Sequence, residues 1–330
     1  MNETKVAALT KPPFVHRAKI ASDGTPSVLS AVATLDDGSR AEDVVFLNSS
    51  GLTESLDVHL VELYTAVVDQ KEAPVHSLTR NDFAVLENGK PQPIERFKET
   101  TSDPMTIGLA IDSSESMKEE IIDLQETASL FLQMALAYEG RAFLIDFDSE
   151  LRLRQSTTSD LKALQKSAQH LTADGGTALY DAIVFGLLQF QGVSGKKALV
   201  VLTDGHDQIS RYDYDAVIGV AKESGVPVFI IVLDTETRAY ISSAGLMSGG
   251  NRPLVLLQKI ADQTGGKAYH LRSPEGLVKV YEEIDKELRS QYLLTYRPSG
   301  GMSGGWRDVD VRVKKKGLRA RAVAGYYAEE

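Results

Sequence analysis

The sequence predicts an α/β fold with a doubly wound, mainly parallel, Rossmann-like sheet, inserted in or joined to a β-sandwich domain. Between residues 104 and 290, short apolar segments alternate with amphipathic segments, which is the pattern of a sheet covered by helices. On both sides of this region, short β-like segments are separated by turn residues and show no helical periodicity. The length of 330 residues also favours more than one hydrophobic core.

We expect four segments. Residues 1–15 form a polar, flexible lead-in, and residues 16–103 form the N-terminal part of an Ig-like β-sandwich. Residues 104–290 form the α/β domain, and residues 291–330 supply C-terminal β-strands. Three strands alone make a poor core, so these last strands are expected to complete the sandwich. A hairpin extension of the α/β sheet is the alternative.

The candidate strands before the α/β domain are rich in apolar and β-branched residues, and they lie at 28–33, 41–47, 58–68, 83–87 and 94–97. The last two flank the dipeptide Asn88-Gly89, which is typical of a hairpin turn. After the α/β domain we expect strands at 291–296, 306–314 and 318–325.

Within the α/β domain, the apolar runs predict strands at 106–111, 141–147, 198–202, 226–233 and 267–271. Residues 151–154 are expected to form an antiparallel edge strand. The strand at 198–202 is entirely apolar, as expected for a strand buried on both faces. Amphipathic periodicity predicts helices at 118–137, 160–171, 179–190 and 213–224, one ending near 264, and one at 274–289.

Composition excludes several functional classes. The net charge of −10 argues against broad binding to nucleic acid or to an anionic membrane. The absence of cysteine excludes disulfides, zinc–thiolate sites and thiol nucleophiles. The six histidines form no His-x-x-x-His pair, and there is no phosphate-binding P-loop, so neither a zinc enzyme nor an ATPase is expected. No apolar run approaches the length of a transmembrane helix.

Three oxygen-bearing residues follow the first strand of the α/β domain. Asp112 ends the strand, and Ser114 and Ser116 follow at spacings of two and four. Carboxylate and hydroxyl oxygens held close together suit Mg²⁺ or Mn²⁺. An ordinary helix N-cap is the alternative, because Asp and Ser also satisfy the free N–H groups of a helix start.

Two further segments are expected at the same edge of the sheet, because the carboxyl ends of parallel strands converge there. Thr177 lies in a glycine-hinged loop that enters a helix, and Asp204 follows the all-apolar strand. This combination resembles the von Willebrand factor type A domain and its metal-ion-dependent adhesion site, over about residues 105–289.

The resemblance implies a cation site, with Mg²⁺ as the expected ion and Mn²⁺ or Ca²⁺ as alternatives. Asp112, Ser114 and Ser116 match the first motif of that site, Thr177 matches its threonine, and Asp204 matches its second aspartate. The hydroxyls would coordinate the ion, and the aspartates would coordinate directly or through water. In such sites an open position takes a carboxylate from a protein partner.

Four of the five residues on the rim of this site have two interpretations each. Asp146 and Asp148 end the second strand and would either bond to metal-bound waters or form a solvated strand end. His206 and Asp207 would either touch a ligand or serve only the loop. Glu115 is expected to be exposed on the rim.

The flanking segments resemble bacterial, Acidobacteria-type proteins related to von Willebrand factor type A domains, over about residues 57–330 and not over 1–56. Those proteins are mostly predicted to be secreted or envelope proteins of undefined function. Residues 1–13 have no signal-peptide core. The expected location is therefore secreted, periplasmic or envelope with the leader absent from this chain, and a cytoplasmic location stays open.

The expected function is a non-enzymatic, metal-dependent protein-binding or adhesion module that ligates an acidic residue of its partner. A scaffold subunit of an ATPase-linked or metal-handling assembly is the alternative. A hydrolase that activates water on the cation comes third, because no general base is clearly placed beside the cluster. Partner identity and oligomeric state do not follow from the sequence.

Overall fold

The computed structural model describes residues 27–34, 40–47, 60–101, 103–234, 252–299 and 305–328. The chain divides into two compact units, Met1–Val58 and His59–Glu330. In the first unit, strands Ser27–Thr34 (β1) and Arg40–Leu47 (β2) pair antiparallel with each other. The predicted lead-in at 1–15 lies outside the described residues.

The second unit begins with four strands: Val61–Val68 (β3), Phe83–Glu87 (β4), Lys90–Gln92 (β5) and Ile94–Thr100 (β6). The strands of the α/β region are Met105–Asp112 (β7), Arg141–Phe147 (β8), Leu151–Thr158 (β9), Lys196–Thr203 (β10), Val228–Leu233 (β11) and Ala268–Leu271 (β12). The helices are Ile121–Ala135 (α1), Leu161–Ala168 (α2), Leu179–Leu188 (α3), Tyr214–Ser224 (α4), Arg252–Thr264 (α5) and Leu277–Arg289 (α6). The last strands are Gln291–Tyr296 (β13), Gly305–Val313 (β14), Arg319–Arg321 (β15) and Gly325–Ala328 (β16).

The central sheet has the strand order β12-β11-β10-β7-β8-β9. All neighbours in it are parallel except β9, which runs antiparallel at the edge, as predicted. Helices α1, α2 and α6 pack on one face, and α3, α4 and α5 pack on the other. The predicted doubly wound sheet is therefore confirmed.

Strand β7 lies in the middle of this sheet, and every residue in it is buried. Its Gly108 leaves room for the ring of Phe143 on the neighbouring strand β8, because a Cβ there would lie 2.2 Å from Phe143 Cζ. Burial on both faces explains why residues 107–111 are all apolar and why the strand ends in a charged residue only where it reaches the sheet edge.

The remaining strands of the second unit form two antiparallel four-stranded sheets, with the orders β15-β3-β13-β6 and β16-β14-β4-β5. Each combines strands from before and after the α/β region, and β13 lies between β3 and β6. The sheets share one hydrophobic core, to which β3, β4, β13 and β14 contribute Leu63, Phe83, Tyr292 and Val309. The fold class predicted from the sequence, an α/β sheet joined to a β-sandwich, is confirmed; the exact domain limits stay predictions.

Two predicted features differ in detail. The hairpin at Asn88-Gly89 exists, with φ angles of 48° and 76°, but its second strand is β5 and not the segment at 94–97. The segment expected as one strand at 318–325 is two short strands, β15 and β16, in different sheets. Between them the chain leaves the ladder, and Ala324 N donates instead to Gln263 O at 3.1 Å. Within the described part of the chain, no helix is long and apolar enough to cross a bilayer.

Candidate functional site

The candidate site lies at the edge of the central sheet where β7 and β10 end. Asp112, the last residue of β7, is fully buried. Its Oδ1 accepts a hydrogen bond from Ser114 N at 3.0 Å, and its Oδ2 accepts one from Thr203 Oγ1 at 2.7 Å. Both carboxylate oxygens are therefore held in place, one by the turn after β7 and the other by the last residue of β10.

A chain of side-chain contacts connects the turn after β7 to the turn after β10. Ser114 has extended backbone angles and a short 3₁₀ turn, Glu115–Met117, follows it. This local geometry brings Ser114 Oγ within 3.1 Å of Ser116 Oγ. Ser116 Oγ in turn donates to Asp204 Oδ2 at 2.8 Å, and His206 N donates to Asp204 Oδ1 at 3.0 Å.

The glycine-hinged loop is joined to the same turn by backbone hydrogen bonds. Asp174 N donates to Ser113 O at 2.9 Å, and Glu115 N donates to Gly175 O at 3.0 Å. Gly175 has φ +72°, and a Cβ there would lie 2.8 Å from Ser149 Oγ, so only glycine fits without strain. The loop is thereby held against the residues that follow Asp112.

Thr177 lies between this loop and the turn after β10. Its carbonyl oxygen accepts a hydrogen bond from Gln208 N at 2.9 Å. Its side chain is fully buried, and its Oγ1 has no hydrogen-bond partner among the described residues. Because buried hydroxyls are normally satisfied, this oxygen is suited to an additional ligand.

The electrostatics of the cluster are dominated by negative charge. Burial, and then the charge of Asp204, raise the pKa of Asp112 to about 7, while the hydrogen bonds from Ser114 and Thr203 oppose the rise. No described Lys or Arg side chain makes an ion pair with Asp112. Among the described residues, no three His, Cys, Asp or Glu side chains are grouped so that they could hold a metal ion. The cluster has two carboxylates, and hydroxyls supply its other oxygens.

Asp146 and Asp148, which end β8, are buried and paired with arginines of the edge strand β9. Asp146 Oδ1 accepts from Arg154 Nε at 2.7 Å, and Arg152 contacts both carboxylates. The interpretation of these residues as a solvated strand end is therefore wrong. Asp146 Oδ2 also accepts from Ser113 Oγ at 3.2 Å, so this ion-pair group supports the turn after β7 from behind.

The remaining rim residues lie as follows. Glu115 has a 57% exposed side chain and pairs with Lys118 at 3.0 Å. Asp207 Oδ1 accepts from Tyr180 N at 3.1 Å and from Ser210 Oγ, so this carboxylate caps the start of α3. His206 contributes its backbone N–H to the cluster through the bond to Asp204.

Sequence reasoning missed two supporting residues, Thr203 and Ser113. Thr203 Oγ1 donates to Asp112 and accepts from Gly205 N at 3.0 Å, and Ser113 connects Asp146 to the turn after β7. Both are polar residues directly beside a matched aspartate, at the point where an apolar strand ends. A polar residue in that position is the signal that could have identified them.

Several solved structures are similar to this chain. BatB from Bacteroides thetaiotaomicron is 17% identical, with 56% of this chain and 100% of that chain covered and a TM-score of 0.43. The von Willebrand factor type A protein from Catenulispora acidiphila is 15% identical, with coverage of 75% and 72% and a TM-score of 0.46. The vWF domain of the type V pili tip protein Mfa5 from Porphyromonas gingivalis is 13% identical, with coverage of 56% and 95% and a TM-score of 0.44.

No curated protein matches the chain. Residues 107–206, which span every residue of the cluster from Asp112 to Asp204, match the family model of the von Willebrand factor type A domain. A von Willebrand factor type A domain is therefore present in this chain.

Proposed function

We propose that the cluster at the carboxyl edge of the sheet holds a divalent cation and that the protein uses it to bind an acidic residue of a protein partner. Asp112, Ser114, Ser116, Thr177 and Asp204 would supply the oxygens. Mg²⁺ fits this donor set of carboxylates and hydroxyls best, and Mn²⁺ or Ca²⁺ are the alternatives.

The observation that carries this proposal is the side-chain oxygen of Thr177, which is buried between the glycine-hinged loop and the turn after β10 and has no partner among the described residues. A buried hydroxyl without a partner costs on the order of 1–3 kcal/mol. Asp112 is buried at the same time within reach of the charge of Asp204. One bound cation would satisfy the hydroxyl oxygen of Thr177 and neutralise the charges of both carboxylates.

The proposed binding activity follows from the charge balance. A divalent cation against two carboxylates leaves little net charge, and hydroxyl ligands add none. An octahedral ion that retains water positions can exchange one of them for an external carboxylate. We propose no chemical reaction at the site: the protein acts as a non-enzymatic interaction module, and its location is secreted, periplasmic or in the cell envelope.

Calorimetric titration of the metal-free full chain with MgCl₂ and MnCl₂ tests the cation site. We expect wild type to bind, and Thr177→Val, which removes only the unpartnered hydroxyl, to bind at least about tenfold more weakly, the equivalent of roughly 1.4 kcal/mol. Thr177→Ser retains a hydroxyl and should keep most of the affinity. Equal binding by wild type and Thr177→Val, or none by wild type, would overturn the proposal.

A further inference from the structure

The loop at residues 208–212 borders the cation cluster on the side of β10. Gln208 N and Ile209 N both donate to Thr177 O, at 2.9 and 3.3 Å. Ile209 Cδ1 lies 3.6 Å from the position that a Cβ on Gly176 would occupy. The isoleucine side chain therefore covers the glycine loop one residue away from Thr177.

This loop has a fixed backbone. Arg211 N and Tyr212 N both donate to Asp181 Oδ1, at 2.9 and 3.0 Å, and Asp181 is itself almost fully buried at the start of α3. Ser210 Oγ accepts from Asp181 N at 3.1 Å. The side chains of the loop are thus displayed from a rigid support, which lowers the entropy cost of binding something against them.

The side chains that this loop displays are of the kinds found in protein interfaces. Ile209 is 49% exposed and Tyr212 is 44% exposed, so two large apolar side chains face solvent within four residues. Between them, the side chain of Arg211 is 86% exposed, although its Nε pairs with Asp181 Oδ2 at 3.2 Å. Tyrosine and arginine are the residue types most enriched at interface hot spots.

The side of the cluster next to β7 has a different character. Glu115 and Lys118 form an exposed ion pair there, and Glu119 and Asp174 are also exposed. The rim is therefore asymmetric, with acidic side chains next to β7 and an apolar and cationic loop next to β10. A partner segment that crosses the cluster meets these two sides in a defined order.

On the basis of the proposed function, we propose that the 208–212 loop determines which acidic residues are accepted. The partner segment places an apolar side chain next to its metal-binding Asp or Glu, and Ile209 and Tyr212 receive this side chain. A second acidic group of the same segment pairs with Arg211, whose positive charge complements it. The occupant is thus a protein segment that combines an acidic residue, an apolar neighbour and a further negative charge.

Selection of displayed random peptides on the immobilised full chain in MgCl₂ tests this inference. We expect wild type to enrich peptides with Asp or Glu beside an apolar residue and to release them in EDTA. Ile209→Ser should still select acidic, EDTA-sensitive peptides but lose the preference for the apolar neighbour. Leu188→Ser is the matched control, because Leu188 is 44% exposed at the far end of α3.

The affinity of one selected peptide makes the test quantitative. Replacing its apolar neighbour by serine should weaken binding to wild type about tenfold or more, as expected for loss of one partly buried apolar side chain. The same replacement should have almost no effect on binding to Ile209→Ser. Arg211→Ala should lower the preference for the second acidic group and leave the apolar preference intact.

The outcomes separate this inference from the proposed function. EDTA-sensitive acidic peptides without an apolar preference, or with a preference that persists in Ile209→Ser, overturn the role of the loop and leave the cation site standing. If no peptide depends on Mg²⁺, or if Asp112→Asn selects the same peptides as wild type, the proposed function fails and this inference fails with it.

Discussion

Ser116 Oγ donates a hydrogen bond to Asp204 Oδ2 at 2.8 Å, although 88 residues separate the two in the chain. The bond joins the turns that follow β7 and β10, which are adjacent parallel strands. The negative charge of Asp204 repels that of Asp112 and helps to raise the pKa of Asp112. This serine therefore holds one of two mutually repelling carboxylates in position, and substitutions at the pair should separate cation binding from folding.

Asp112→Asn should abolish the response to divalent cations without unfolding the protein. The amide has the shape of the carboxylate but not its charge, so repulsion with Asp204 disappears and the ion loses a charged ligand. We expect the variant to melt in EDTA at the same temperature as wild type or higher. MgCl₂, which should raise the melting temperature of wild type, should leave that of the variant unchanged.

Asp207→Asn is the control for that experiment. Asp207 caps α3 from the loop after β10, and asparagine keeps an acceptor oxygen at this position. It should retain the response to MgCl₂. An equal increase in melting temperature for wild type and Asp112→Asn would contradict the assignment of Asp112 as a ligand.

Thr203→Val should weaken both folding and cation binding. Valine keeps the shape of the side chain but removes the hydroxyl that donates to Asp112 Oδ2 at 2.7 Å and accepts from Gly205 N. A buried acceptor left without this donor costs about 1–3 kcal/mol of unfolding free energy. Urea unfolding in EDTA measures the loss, and calorimetry measures the change in affinity for Mg²⁺. Thr203→Ser, which keeps the hydroxyl, should lie close to wild type in both measurements; equal losses in the two variants would show that the hydroxyl is not responsible.

Lys196 should make the stability depend on pH. Its side chain is buried and its Nζ donates to Thr100 O at 3.3 Å. Burial lowers the pKa of Lys196 to about 8, below the value of 10.5 for an exposed lysine. Below about pH 8 the ammonium is charged in both the folded and unfolded states, so its desolvation opposes folding fully. Between about pH 8 and 10.5 the unfolded chain binds more protons, so this contribution to stability improves as pH rises.

Lys196→Met should therefore be more stable than wild type near neutral pH, by on the order of 1–3 kcal/mol. The gain should shrink toward zero by about pH 10.5. Urea unfolding of both proteins across this range measures the difference, in which the titration of other groups cancels. A gain that is constant with pH would show that folding does not lower the pKa of Lys196.

Glu87 should stabilise the sheet β16-β14-β4-β5 and its contact with Tyr296 of the other sheet. It is almost fully buried and accepts from Arg307 Nη1 at 2.9 Å and from the hydroxyls of Tyr296 and Tyr326, each at 2.8 Å. Glu87→Met removes the carboxylate that pairs with the buried guanidinium of Arg307. We expect it to lower the free energy of unfolding by about 3–5 kcal/mol. The double variant Glu87→Met/Arg307→Met should recover part of that loss in urea unfolding. Additive losses would show that the two charges do not stabilise each other.

Much of the fold could be predicted from the sequence, because buried faces of strands and helices carry apolar residues at regular spacings. The run at 198–202 is apolar since β10 is covered on both faces, and the change to polar residues at Asp112 and Asp204 marks the edge where the strands end. Once parallel strands are predicted, their carboxyl ends must lie together. The grouping of the five oxygen-bearing residues at that edge could therefore be predicted, while their binding of a cation stays a prediction.

Other features could not be predicted, because periodicity shows which face of an element is buried and not what it contacts. The pairing of Asp146 with Arg154 depends on how β9 turns back along β8. The division of the segment at 318–325 into β15 and β16 depends on backbone bonds to distant elements, including the one from Ala324 to Gln263. Such partners are set by tertiary structure and leave no local pattern.

Strand β13 pairs with β6, so the chain enters and leaves the α/β region through two hydrogen-bonded neighbours. Gln291 lies opposite Thr100, and Thr100 Oγ1 donates to Gln291 O at 2.9 Å. A tensile load applied before β6 and after β13 would act on the paired ends Ile94 and Tyr296, so the ladder must open from that end to Thr100 and Gln291 before the load reaches the residues between the strands. The α/β region would thus be shielded from mechanical force until the two strands part.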